Sequence, residues 1–173
     1  MKAIVLDTSA FIQGYSPGRK GIISFTVPLV RGELKDDNAK IRFDNAVFSG
    51  VLIVKSPQDH YLEMVETATM KMGESEALSK TDKHILALGM QLVNQNYKLT
   101  IVSDDYSVQN IAEELSINYI GLTTPGIKKK IEWEIYCPGC KKIFSKSQHE
   151  HICPICGTKL KRRPKKISIE RAD

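Results

Sequence analysis

Thr100–Asn110 reads TIVSDDYSVQN: the end of a β-branched apolar run, two adjacent carboxylates, then a segment with helical spacing. With Leu99 the run is LTIV, the continuous apolar pattern of a strand buried on both faces of a parallel sheet. Val108, Ile111, Ala112 and Leu115 then recur at the period of one helix face. A strand handing directly to a helix is half of a βαβ unit, so this stretch sets the fold class as α/β. Asp104 and Asp105 repel each other, and a chain that keeps both at a strand end needs a helix N-terminus, water or a cation there. Which of the two looks into a site is open, with a slight preference for Asp104.

The same rhythm runs outward from this point. AIVL (3–6) and VLIV (51–54) are further apolar runs expected as strands buried on both faces, and NYIGL (118–122) is a further strand. PQDHYLEMVETATMKMG, from Pro57, and SKTDKHILALGMQLVNQN, from Ser79, read as helices, the second placing Ile85, Leu88 and Leu92 on one face. The rhythm stops at TTPGIKKKIEW, where Pro125-Gly126 and three lysines mark a linker. The expected organisation is therefore an α/β domain over 1–125, a linker over 126–134, a cysteine module over 135–162 and a basic, loosely held tail over 163–173.

A chain of 173 residues with 42% apolar content suits one domain plus a small module. No apolar run approaches the roughly 20 residues that span a bilayer, and MKAIVLDTSAFI is unlike a signal peptide. The expectation is a cytoplasmic protein without a membrane partner. Charge is divided unevenly: residues 1–125 carry 12 Lys and Arg against 15 Asp and Glu, net −3, while 126–173 carry 13 against 5, net +8. A basic appendage on an acidic body points to a phosphate-rich partner.

All four cysteines lie in Cys137-Pro-Gly-Cys140 and Cys153-Pro-Ile-Cys156, with twelve residues between the pairs. Two C-x-x-C turns supply a tetrahedral thiolate set for one structural zinc ion. Disulfides or a redox dithiol are disfavoured in a cytoplasmic chain. His149 and His151 are alternative ligands or, with four cysteines available, exposed side chains. The run KLKRRPKK offers Lys159, Lys161, Arg162, Arg163, Lys165 and Lys166 for phosphate contact, although a charge run is also ordinary solvated surface. Trp133 and Tyr136 either stack on bases or pack on the module.

Asp7 follows the first strand and Asp104/Asp105 a later one; in open parallel sheets such carboxyl ends converge on one crevice. Asp82 stands three residues after Ser79, the spacing of a capping box, which gives it a purely structural reading too. Glu33, in VPLVRGEL, reads as a surface glutamate at a helix start. Carboxylates alone repel nucleic acid, whereas a Mg²⁺ or Mn²⁺ ion held between them binds phosphate and acidifies water. A phosphotransferase with a second Asp two residues after the first is excluded by Ser9 in LDTS, and a receiver pattern is not matched.

Four elements in order, IVLDTSAFI, VPLVRGEL, LSKTDKHILALG and IVSDDYSVQN, resemble those of the PIN-domain nucleases. With the four-cysteine module, the whole chain resembles the archaeal and eukaryotic endoribonucleases that join a PIN domain to a zinc ribbon and mature the 3′ end of small-subunit rRNA. The resemblance implies a PIN-like three-layer α/β/α fold with a central parallel sheet and a C-terminal zinc ribbon. It implies that Asp7, Glu33, Asp82 and one of Asp104 and Asp105 hold catalytic Mg²⁺ or Mn²⁺, with Thr8, Ser9 and Ser103 as accessories. Its implied substrate is precursor small-subunit rRNA within the pre-ribosomal subunit, with assembly proteins as further partners. Two other readings stand beside it: an rRNA-binding assembly factor without activity, and a toxin-type PIN ribonuclease.

Overall fold

The computed structural model describes residues 1–73, 77–123, 133–144 and 152–164. Among these residues five parallel strands form the main sheet: β1 (Lys2–Leu6), β2 (Ile22–Thr26), β3 (Leu52–Val54), β4 (Lys98–Val102) and β5 (Asn118–Ile120), in the order β3-β2-β1-β4-β5. The chain builds the sheet one way from β1 and the other way from β4. The switch point therefore lies between these two strands, which run in register from Lys2 opposite Lys98 to Leu6 opposite Val102. Side chains leaving the carboxyl ends of β1 and β4 face a common crevice.

Among the described residues six helices cover the sheet: α1 (Thr8–Ile12), α2 (Pro28–Glu33), α3 (Asp37–Phe48), α4 (Asp59–Met72), α5 (Lys80–Asn94) and α6 (Tyr106–Glu114). α1 packs with α2 and α3, while α4, α5 and α6 pack on one another, which gives the expected three layers. The centre of the core is fully buried Val5, Leu6, Phe11, Ile85, Leu88 and Ile101. Gly89 lets α5 lie close on β4: a Cβ there would sit 3.1 Å from Ile101 Cδ1 and 3.3 Å from Leu99 Cδ2. Among the described residues no helix is long and apolar enough to cross a membrane.

Three local expectations are corrected. β2, absent from the sequence reading, lies inside the sheet; its run IISFT is interrupted by Ser24 and Thr26, yet both are buried. Thr26 tolerates this because its hydroxyl donates to Leu6 O at 2.7 Å, tying β2 to the end of β1. The VLIV run is not buried on both faces: β3 is an edge strand with Leu52 inside and Ile53 and Val54 exposed. Glu33 ends α2 rather than starting a helix, since Pro28 takes the first helical position, where its missing N–H costs nothing.

A second, antiparallel sheet forms the cysteine module: β6 (Trp133–Tyr136), β7 (Ile143–Phe144) and β8 (Lys161–Pro164), in the order β7-β6-β8. It takes in Trp133 and Glu134 on one side and Arg163 and Pro164 on the other, outside the 135–162 limits, because β6 and β8 continue to pair beyond the cysteine turns.

Candidate active site

Asp7 is the first residue beyond β1 and the N-cap of α1, 4% exposed. Its backbone N–H donates to Val102 O at 3.1 Å, which fixes it beside the end of β4. Its Oδ1 accepts from Thr8 N at 2.6 Å, and its Oδ2 from Ser103 Oγ at 2.7 Å and Ser9 Oγ at 3.2 Å. Thr8 Oγ1 donates to Glu33 Oε2 at 2.6 Å, so α2 brings the glutamate to the same crevice. Burial pushes the Asp7 carboxyl up; the hydrogen bonds from Ser103, Thr8 and Ser9 oppose this, and the charge of Glu33 adds to it.

Asp82 completes the expected capping box: Ser79 N donates to Asp82 Oδ2 at 2.7 Å and Asp82 N to Ser79 Oγ at 3.1 Å. A carboxylate capping a helix ordinarily has a low pKa, yet this one is pushed up to about 6. Burial is the largest cause; the two Ser79 bonds pull the other way, and the charges of Asp7 and Asp105 raise it further. The capping role and the acidic environment thus coexist in one side chain. Asp7, Glu33, Asp82 and Asp105 form a linked set: Glu33 acts against the ionisation of Asp7, and Asp7 and Asp105 against that of Asp82.

The two adjacent acids part ways. Asp105 caps α6, its Oδ1 accepting from Ser107 N at 2.7 Å, and its charge acts on Asp82. Asp104 turns instead toward the segment after β5: Oδ1 accepts from Leu122 N at 2.7 Å and Thr123 N at 3.0 Å, and Oδ2 from Thr123 Oγ1 at 2.8 Å. Those three bonds give Asp104 a structural task. The sequence reading missed Thr123, although its position just past the carboxyl end of β5 was a signal that it lies on the same rim. Ser9 and Ser103 link the halves of the site: Ser9 Oγ accepts from Asp104 N and Ser103 Oγ from Asp105 N, both at 3.1 Å, while both hydroxyls donate to Asp7.

An all-oxygen, strongly acidic donor set fits a hard divalent cation and no soft one. Among the described residues, only the four cysteines bring three or more candidate ligand atoms within 4.8 Å of one another. The carboxylates are more widely spread, as suits an ion that keeps several waters and takes one or two carboxylates directly. Burial is the main cause of the raised pKa values of Asp7 and Asp82, the neighbouring carboxylates add to it, and a bound cation would favour the ionised forms.

The cysteine turns are near copies. Cys137 N donates to Lys142 O and Cys153 N to Thr158 O, both at 2.9 Å, and Lys141 and Gly157 occupy matching left-handed positions with φ of 62° and 71°. The sulfurs lie 3.3 Å (Cys137–Cys156) and 3.6 Å (Cys140–Cys153) apart. That is too far for a disulfide and near the ~3.8 Å edge of a zinc–thiolate tetrahedron. The cluster can hold zinc, as a zinc ribbon does. His149, His151, Lys165 and Lys166 lie outside the described residues.

The basic side chains on this module differ in what they touch. Lys159 and Lys161 are exposed. Arg162 Nη1 donates to Gly73 O at 3.1 Å, at the end of α4. Arg163 is engaged within the ribbon: Nε meets Glu134 Oε1 at 2.7 Å, and the guanidinium lies 4.6 Å over the Tyr136 ring. Tyr136 thus packs within the ribbon through that contact.

A family model described as the PIN domain of ribonuclease matches residues 4–92. Over 163 residues the chain is 38% identical to Endoribonuclease Nob1 of Pyrococcus abyssi, covering 94% of each chain. It is 35% identical over 171 residues to Endoribonuclease Nob1 of Methanocaldococcus jannaschii, covering 99% of this chain and 82% of that one. Ribonuclease VapC1 of Thermoplasma acidophilum is 38% identical over 158 residues, or 91% of this chain and 76% of the other.

Proposed function

The chain belongs to the PIN-domain ribonuclease family and is an endoribonuclease, and from that premise we propose that it cleaves precursor small-subunit rRNA at its 3′ end. The observation that carries the catalytic reading is the convergence of Asp7, Glu33, Asp82 and Asp105 at the switch point of the sheet, with Asp82 pushed up to about 6. The rRNA reading is supported by the pairing of this crevice with a four-cysteine ribbon and by relatives named Endoribonuclease Nob1 that align over nearly the whole chain.

In this reading Asp7, Glu33, Asp82 and Asp105, rather than Asp104, would hold Mg²⁺ or Mn²⁺. A bound ion would supply neutralisation of the scissile phosphate, a lower pKa for the attacking water and stabilisation of the leaving oxygen. Thr8 holds Glu33 toward Asp7, and Ser9 and Ser103 hold Asp7 against the turn after β4. Hydrolysis breaks the P–O3′ bond. The water oxygen stays on the 5′-phosphate, and a proton ends on the 3′ oxygen as a 3′-hydroxyl. Because the 2′-hydroxyl takes no part, preference for RNA falls to binding, in which the four-cysteine ribbon presents the exposed Lys159 and Lys161 to phosphates. The setting is the pre-ribosomal small subunit in the cytoplasm, with assembly proteins as neighbours.

A toxin-type ribonuclease acting on tRNA or mRNA remains a second reading, favoured by one observation: the relative named Ribonuclease VapC1 aligns over 158 residues, which necessarily extends past the PIN portion. Incubation with Mn²⁺ and three RNAs, a precursor spanning the small-subunit 3′ end, bulk tRNA and an mRNA, separates the readings. Defined cleavage of the precursor alone is expected. Preferential cutting of tRNA or mRNA would support the toxin reading, and binding without cleavage would support an inactive assembly factor.

A further inference from the structure

Gln109 is fully buried in α6, one residue from the polar, equally enclosed Asn110. Its side-chain Nε2 donates to Ser103 O at 2.7 Å, while its backbone N–H donates to Asp105 O at 3.0 Å. It therefore grips both ends of the turn that carries Asp104 and Asp105. Its Oε1 finds no partner among the described residues. A buried oxygen left unpaired is destabilising, a cost that a methionine or leucine of similar size would avoid. Packing alone therefore does not call for a glutamine here; the amide N–H₂ does something an apolar side chain cannot.

What it does is visible at Ser103. That residue is held at three points: its N–H donates to Ile120 O at 3.1 Å, its carbonyl accepts from Gln109, and its hydroxyl donates to Asp7 Oδ2 at 2.7 Å while accepting from Asp105 N. The hydroxyl can bridge Asp7 and the Asp105 backbone only while the peptide planes after β4 keep their orientation. Of the three anchors, the Gln109 bond is the one that comes from neither the sheet nor the acids. We propose that Gln109 is a positioning residue for the divalent-cation site: it fixes the Ser103 carbonyl so that Ser103 Oγ holds Asp7 and Asp105 in register for the ion. This rests on the reading of the crevice as a cation site.

The test is Gln109→Met in the full-length, zinc-loaded protein, read by Mn²⁺ binding from the electron paramagnetic resonance of the free ion. Cleavage kinetics and a double-mutant cycle with Ser103→Ala complete it. Outer partners of metal ligands are typically worth about 10- to 100-fold in affinity or activity. Gln109→Met is expected to weaken Mn²⁺ binding and lower kcat by about tenfold, with KM for RNA and the melting midpoint close to the parent's. Because Gln109 acts through Ser103, the double variant should bind Mn²⁺ no more weakly than Ser103→Ala alone. Unchanged Mn²⁺ affinity in Gln109→Met overturns the proposal, and so do additive losses in the double variant. A melting midpoint that falls with the binding assigns Gln109 to the core and overturns it equally. A parent that binds no Mn²⁺ overturns the crevice reading as well, whereas parental binding indifferent to Gln109 overturns this inference alone.

Discussion

Asp82→Asn should stabilise the protein while abolishing its activity. Burial and the charges of Asp7 and Asp105 hold the Asp82 carboxyl at about 6, against 3.8 for a free aspartate. At ~1.4 kcal/mol per pKa unit, the folded state pays at most about 3 kcal/mol to keep it ionised at neutral pH. Asp82 is only partly buried, so solvent screening reduces this to ~1–2 kcal/mol. The sign follows from proton binding. The folded pKa lies above the unfolded one, so between about pH 4 and pH 6 the folded state holds more protons, and the parent loses stability as pH rises through that window. Below it both states are protonated and the loss vanishes. Asparagine copies the neutral carboxyl and still offers an oxygen to Ser79 N. In melts followed by far-UV circular dichroism, with zinc retained and no other divalent ion, Asp82→Asn should match the parent at pH 4. At pH 7.5 it should melt about 3–6 °C higher. Excess Mn²⁺ should raise the parent's midpoint and leave the variant's nearly unmoved. A variant that melts at or below the parent at pH 7.5 without Mn²⁺ would refute the claim that keeping Asp82 ionised in the crevice costs the folded state stability.

Asp105→Asn should lower Mn²⁺-dependent cleavage by about 100-fold, whereas Asp104→Asn, which keeps an acceptor for Leu122 N and Thr123 N, should retain most of it; the reverse order in a side-by-side assay returns Asp104 to the ion. Cys153→Ser should abolish stoichiometric zinc, measured by atomic emission, and weaken binding to precursor RNA; a full zinc complement in this variant contradicts the assignment of all four cysteines to one ion. Gly139→Ala should also loosen the zinc, because a Cβ there would lie 2.6 Å from Thr158 Oγ1 and 3.3 Å from Cys156 Sγ; chelator-release rates equal to the parent's would show that the turn yields without cost. Neutralising Lys159 and Lys161 to Gln should flatten the log–log salt dependence of binding to single-stranded RNA by about 1.4 units for two phosphate contacts. Arg163→Gln should act first on ribbon stability, since its guanidinium serves Glu134 and Tyr136; an unchanged ribbon with a shallower salt slope would place Arg163 on RNA instead.

The elements that carry the candidate site were legible because their signals are local. An apolar run ending in an acid announced β1 with Asp7 and β4 with Asp104 and Asp105, and S-x-x-D announced the α5 cap. The cysteine spacing likewise foretold two turns of matching geometry. What escaped depended on distant partners. β2 carries serine and threonine inside the sheet, and Thr26 is buried at no loss only because Leu6 O, twenty residues earlier, accepts its hydroxyl. The exposure of Ile53 and Val54 follows from the place of β3 at the sheet edge, which depends on strand order rather than on its own residues. The choice between Asp104 and Asp105 is of the same kind. Both follow one strand and precede one helix, and it is the rim beyond β5, through Leu122 and Thr123, that draws Asp104 aside.

The central claim, hydrolysis at a carboxylate-held divalent ion, is tested most directly by the ends it leaves. A 5′-labelled precursor RNA spanning the small-subunit 3′ end is incubated with the full-length protein and Mn²⁺, with Asp82→Asn in parallel, and the product termini are identified enzymatically. The account predicts one defined cut by the parent and none by the variant, with a 3′-hydroxyl that poly(A) polymerase extends and a 5′-phosphate that ligase accepts. A 2′,3′-cyclic phosphate, or equal cutting by Asp82→Asn, would contradict it.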